Sequence, residues 1–446
     1  MNTTTVSAAA PARSGMRTFL IIWAGQLISF IGSGLSGLAL AVYLYEQTGA
    51  VTQLALSMAA ASIPQLLLLP LAGTLVDRWD RRTVLVLSDI AAALVTLAMW
   101  ALLATHSLAM WHVYLGNAIS AAFGAFQRPA YYGLPSLLVA SGQYGRVSGL
   151  MQLADAASQI VAPIIAGFLV LRIGVPGVFL VDLATCALAV LSFALVRIPN
   201  PERQAEAEEA PVLQEAVRGW HYVRARTGLL GMVTLFAIVN FALGFYSALF
   251  APLVLARYGP ETLGALFSGG GIAMLVGSLI MSAWGGTRRR IFTMTGAITA
   301  SGLGIALLGS RPSLLAVTAG NLLIMLAVPF ANAASQAIWL AKVPPEVQGR
   351  VFAIRMMIAS AITPLAYLLA GPLADQVAGP LMAEGGALAP LLGGILGVGA
   401  DRGIGLILVI TGLLAAAAPM LALFWRRIRC VELEIPDHTA AEAALR

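Results

Sequence analysis

Charge is scarce in this sequence: Asp, Glu, Lys and Arg make up only 10% of its 446 residues, against roughly 25% in an ordinary soluble domain. That scarcity excludes a water-soluble globule, whose surface needs charge this chain does not supply. Cysteine is rarer still, with Cys186 inside an apolar run and Cys430 in a charged tail, too few and too differently placed for a disulfide scaffold. The four histidines are scattered, so no metal-spaced His/Cys cluster arises, and neither a Walker motif nor a nucleophile elbow is present. These absences argue against an enzyme, a resident metal or cofactor, and nucleotide hydrolysis as an energy source. The net charge of +6 is spread in short basic clusters between apolar runs, a pattern of topology signals rather than of a nucleic-acid-binding face.

What the chain has in abundance is apolar surface, with 59% hydrophobic residues and a mean hydropathy of +0.87. A helix needs about 20 apolar residues to cross hydrocarbon with every backbone polar group satisfied inside the segment. Twelve runs qualify, near 19–45, 52–76, 83–104, 108–139, 147–171, 175–196, 228–256, 262–284, 291–309, 313–341, 350–374 and 403–425. The first is too long for a signal-peptide core and lacks a convincing cleavage site, so it is read as a helix that stays. Arg13, Arg17, Arg78, Arg81, Arg82, Arg146, the 197–226 segment, Arg288 to Arg290, Lys342, Arg350, Arg426, Arg427 and Arg429 fall on one side, against Arg172, Arg257, Arg311 and Arg402 on the other. Positive charge stays in the cytoplasm during insertion, which predicts a multi-pass membrane protein with both termini cytoplasmic.

The longest connection divides the chain into an N-terminal six-helix bundle (1–197), a linker (198–227) and a C-terminal bundle with its tail (228–446). Within the linker, Val212, Ala216, Trp220 and Val223 recur at helical spacing over Leu213 to Arg226, as an interfacial amphipathic helix or a solvated connection. Residues 379–402 are Gly-rich and apolar, either re-entrant or interfacial or an ordinary outer loop. An internal repeat is legible directly: Gly116-Asn117 returns as Gly320-Asn321, Phe126 as Phe330, and Gly145-Arg146-Val147 as Gly349-Arg350-Val351, all at one offset. Parallel six-helix repeats predict an all-α membrane protein of two pseudo-symmetric bundles, with a substrate site between the halves.

After the second run comes Gly73-Thr74-Leu75-Val76-Asp77-Arg78-Trp79-Asp80-Arg81-Arg82. It resembles the G-x-L-x-D-R-x-G-R-R signature of the major facilitator superfamily, departing at Asp80 where that signature has Gly. Ser88-Asp89, Arg128-Pro129-Ala130, Gly349-Arg350-Val351 and Gly403-Ile404-Gly405 are similar to the bacterial branch of enterobactin exporters and macrolide efflux pumps. The resemblance implies export of a small amphiphilic molecule, drug or siderophore, by alternating access and proton antiport from a monomer. Uptake or facilitated diffusion of a metabolite, or a membrane sensor or lipid-handling protein, are the alternatives. It further implies a cytoplasmic gate latch in which Gly73, Asp77, Arg78, Arg81, Arg82 and Asp89 take part. Asp77 would cap a neighbouring helix N-terminus, and the arginines would hold counter-charge and anionic lipid headgroups. Pro163 and Gly167 are a weak version of the antiporter G-P-x-x-G pattern, a helix-bend or a packing motif.

Ionisable groups within hydrocarbon are functional candidates by default, which singles out Arg128, Asp155, Asp182 and Arg355. Asp155 suits a proton-coupling site, or pairs structurally with Arg128. Arg355 suits a cross-half pair or an anionic substrate. Asp182 is read as water-exposed or helix-packing, with coupling as the alternative. Gln26, Asn240, Asn332 and Gln336 lie at cavity depth, as substrate contacts or interhelical hydrogen bonds. Trp23, Tyr43, Tyr45, Trp100, Trp111, Trp284 and Trp425 read as the interfacial aromatic belt.

Overall fold

The computed structural model describes residues 14–139, 143–196, 218 and 220–435. Gly73, Asp77, Arg78, Gly349 and Arg350 have helical backbone and are otherwise outside the described set; of the expected Leu213 to Arg226 helix, residues 213–217 and 219 lie outside it and residues 220–224 are helical.

Ten stretches are long and apolar enough to cross a membrane. They make twelve helices, because one stretch holds two crossings and because Met110–Tyr132, though more polar, is long enough at 23 residues. The helices are α1 Ser14–Thr48, α2 Val51–Arg78, α3 Arg81–Ala104, α4 Met110–Tyr132, α5 (144–173) and α6 (175–194), α7 Thr227–Leu255, α8 Pro260–Trp284, α9 Arg290–Ser310, α10 Leu314–Lys342, α11 Pro345–Pro372 and α12 Asp401–Phe424. Between α5 and α6 the helical path breaks at Gly174, whose φ of 69° is open to glycine. The contacts with α1 show that the chain reverses there. Trp23 and Gly34 of α1 meet Leu150 and Ala162 of α5 in parallel order, while Gly25 and Gly32 meet Ser192 and Thr185 of α6 in antiparallel order.

Exposed leucines and isoleucines such as Leu67, Leu94, Leu279, Leu315 and Leu421 cover the outer surface, as lipid contact requires. Inside, the buried residues divide unequally. One core joins both halves at the end remote from Ser14 and Ile435, with Leu38, Leu54 and Ala166 packed together with Phe250, Leu263 and Ala370. At the end that carries the chain termini there are two separate cores: Phe19, Leu85 and Tyr131 belong to the first half, and Met232, Trp339 and Ile428 to the second. Among the described residues, the halves therefore share one core at the far end and keep separate cores at the terminal end.

The repeat is visible in packing. Trp79 stacks on Phe126 with centroids 6.0 Å apart, and Trp284 lies 6.2 Å from Phe330. Gly116 and Gly320 each sit where a Cβ would clash, against Met99 and against the Gly304 carbonyl. Val147 and Val351 are both fully buried. Residues 379–402 fold into two short helices, Gly379–Met382 and Ala389–Leu396, anchored on α12 through Met382, Leu396 and Leu406. Buried Arg402 fastens them, donating to the Leu396 and Gly309 carbonyls at 2.5 and 2.7 Å. At the other end, the Glu432 carboxylate accepts from the Arg290 and Ile291 amides at 3.2 and 3.1 Å. The tail thereby supplies α9 with the cap that its own N-cap residue, Arg289, does not make.

Candidate functional site

The offset that relates Asn117 to Asn321 also relates Arg128 to Asn332 and Tyr132 to Gln336, so the terminal-end thirds of α4 and α10 present corresponding faces. In the first half the Tyr132 hydroxyl donates to the Asp155 carboxylate on α5. In the second half Arg355 on α11 donates to Gln336 Oε1 at 3.0 Å and to Ser335 Oγ at 3.1 Å, with its guanidinium over the rings of Phe236 and Trp339. One corner thus holds an acid on a phenol, and the matching corner a base on neutral oxygens and aromatic faces. Arg128, Asn332 and Gln336 are exposed. A charged group turned toward hydrocarbon costs about 3 kcal/mol, which favours water over lipid around exposed Arg128. Asn240 on α7 and Asn332 make no side-chain hydrogen bond among the described residues, and their amides are left for solvent or a ligand.

Several expectations change here. Arg128 and Asp155 form no salt bridge among the described residues, because Tyr132 is the partner that reaches the carboxylate. Among the described residues Arg355 makes no cross-half pair; its two hydrogen bonds go to α10 of its own half. Gln26 is fully buried rather than facing the gap: it donates to Asp89 Oδ2 at 2.8 Å, and Gln127 of α4 donates to Asp89 Oδ1 at 2.6 Å. Asp182 is 2% exposed, among Thr96 at 3.3 Å and the Cys186 thiol at 3.7 Å, so the water-exposed reading fails and helix packing describes its surroundings.

At the far end the halves meet along two helix pairs. A Cβ on Gly371 of α11 would lie 2.4 Å from the Thr52 Cα of α2, and one on Gly167 of α5 would lie 2.8 Å from the Pro260 carbonyl oxygen at the start of α8. The two glycines are repeat mates, each admitting a helix start from the opposite half. Pro163 lies on the same contact, its carbonyl against Gly264. Asp375, just past α11, then accepts hydrogen bonds from the Val51 amide (3.1 Å), the Thr52 amide (2.8 Å) and the Thr52 hydroxyl (2.6 Å).

A family model described as Major Facilitator Superfamily matches residues 22–376. The chain belongs to that superfamily. It is 27% identical over 364 residues to macrolide efflux protein A of Streptococcus pyogenes, covering 80% of this chain and 90% of that protein. It is 25% identical over 378 residues to the multidrug efflux pump Tap of Mycolicibacterium fortuitum, covering 80% and 89%. Among solved structures, a bacterial homologue of the human lysosomal transporter Spinster, inward-facing and unoccupied, superposes with a TM-score of 0.71 at 14% identity, over 93% of this chain and 98% of that one. The protein is accordingly a multi-pass secondary transporter of the major facilitator fold and not an enzyme.

Within this major facilitator chain, the signature loop after α2 is tied into the first half. Asp80, which stands where the signature has Gly, is the N-cap of α3, accepting from the Arg82 amide and the Thr83 hydroxyl, each at 3.0 Å. The Arg81 guanidinium donates to the Gly133 carbonyl past α4, and Arg82 donates to the Phe193 carbonyl at 2.9 Å near the end of α6. Carbonyls at helix C-termini carry partial negative charge, so the two arginines hold three helix ends together. Asp89, two turns along α3, takes its bonds from Gln26 and Gln127 and none from these arginines.

Proposed function

We propose that this transporter exports a small amphiphilic molecule of the macrolide class across the bacterial cell membrane, in exchange for protons. The termini are on the cytoplasmic side, and residues 1–197 and 228–446 are the two rocking halves joined by 198–227. What carries the reading is the pair of repeat-related corners on either side of the terminal-end gap. Asp155 offers a carboxylate to an amine, Asn240, Asn332 and Gln336 offer amides to hydroxyls, and half-buried Phe236 offers aromatic surface to an apolar ring. Substrate enters from the cytoplasm while the far end is shut, and leaves after the halves rock the other way. The efflux pumps similar over 80% of the chain support export over uptake.

A catechol siderophore is a second candidate on one specific ground: among the described residues Arg355 has neutral oxygens and rings around it, so its charge is available to an anionic group. Expression in a bacterial strain stripped of its own pumps decides between these readings. Export predicts a severalfold rise in the macrolide concentration that stops growth. An importer would sensitise the strain, a sensor would change nothing, and a siderophore exporter would release catecholate without drug protection. Asp155→Ala and Arg355→Ala are expected to abolish protection against cationic and export of anionic substrates respectively.

A further inference from the structure

We propose that the coupling proton is carried inside the first half by Asp89, clasped between Gln26 and Gln127, with Asp182 as a second proton-binding carboxyl on the same buried file. The inference rests on the antiport reading above and names its ion site.

The file runs down the middle of the first half. Gln127 of α4 and Gln26 of α1 hold the two oxygens of Asp89. One turn further along α1, Ser29 lies 3.9 Å from the Cys186 thiol of α6, which in turn donates to Asp182 Oδ1. The Thr96 hydroxyl of α3 completes the setting of Asp182. Gln26, Ser29, Asp89, Asp182 and Cys186 are all less than 5% exposed. Facing Asp89 are thus two carboxamides, from α1 and α4. From α6 the titratable group facing both acids is the Cys186 thiol, and neither acid has a salt bridge among the described residues.

A carboxylate buried without a cation leaves its charge uncompensated, and the proton is the smallest cation that compensates it. The chemistry of the neighbours favours reversible occupancy. Carboxamides, hydroxyls and a thiol all both donate and accept. Each amide donates N–H to the carboxylate; on protonation, a rotated amide accepts the new carboxylic O–H through its carbonyl oxygen. Both states then keep their hydrogen bonds, which a lysine or arginine partner would not allow. Of the residues that hold Asp89, Gln127 is the one with partial exposure. Asp155 is differently placed: it borders the gap on the Tyr132 hydroxyl, where substrate reaches it.

Proteoliposomes with a trapped pH dye test the assignment, with erythromycin as probe. Asp89→Asn, nearly isosteric, is expected to lose the erythromycin-evoked pH change and gradient-driven transport while retaining erythromycin counterflow, which needs no net proton movement. An unchanged pH signal in Asp89→Asn would overturn the proposal, as would loss of counterflow in a variant with wild-type thermal stability. Should Asp89→Asn not fold, Gln127→Leu replaces it: the pH midpoint of gradient-driven transport must move, and an unmoved midpoint overturns the proposal. Wild-type protein that performs counterflow but gives no pH signal, or that a sodium gradient drives at fixed pH, refutes the antiport reading and this site with it.

Discussion

Asp375→Ala is expected to shift the protein from the form closed at the far end toward the form open there. The first amides of a helix have no partner within it, and the N-terminus carries partial positive charge. Ala50, the N-cap of α2, provides no side-chain cap. Asp375 provides it from the other half through three hydrogen bonds, so the cap exists only while the far end is shut. Hydrogen bonds to a charged group contribute about 1.5–3 kcal/mol. Water recovers part of this when the halves separate, and a net loss of about 2 kcal/mol corresponds to roughly thirtyfold in the equilibrium between the two forms. Spin labels across the far end report the populations by distance spectroscopy. Asp375→Asn, which keeps one carbonyl oxygen, should fall between wild type and alanine; equal populations in all three would remove the clasp from the account.

Gly371→Val should have a larger effect on transport. The atom its Cβ would meet is the Thr52 Cα, part of the backbone, so no flexible side chain can yield. Overpacking at such a contact costs about 1–3 kcal/mol, enough to disfavour far-end closure by about five- to 150-fold. A protein that cannot close there cannot open fully to the terminal side, and drug protection is lost. Gly167→Val meets the Pro260 carbonyl and gives the same phenotype, whereas Gly37→Ala, with no atom within 4 Å of the added Cβ, is neutral. Because the clash lies between the halves, all three variants should insert and unfold thermally as the wild type does. Transport that survives in both valine variants would show that the glycine contacts do not gate.

The twelve crossings were legible because run length is a direct physical requirement of spanning hydrocarbon. The duplication was legible because three pairs of residues share one offset, and the matched tryptophan contacts with Phe126 and Phe330 follow from it. Depth along a helix was legible as well, but the direction around its axis was not. Gln26 sits at the depth expected of a cavity residue and faces inward onto Asp89 instead. Tyr132 was missed although it precedes Gln336 by the repeat offset, a signal available in the sequence. Asp375 carried no local signal at all: its partners Val51 and Thr52 are 324 and 323 residues away, and only the closed far end brings them together. Asp80 was marked as a departure from the signature, and its role as a cap for α3 required the geometry of the loop.

The central claim is that the two halves rock about the gap, closing one end as they open the other. It is tested most directly by measuring two distances in one reconstituted protein, a pair of labels across the far end and a pair across the terminal end, with and without an exported macrolide under a proton gradient. The account predicts reciprocal change, with the terminal-end distance shortening as the far-end distance lengthens. Two distances that stay fixed through turnover, or that lengthen together, would contradict it.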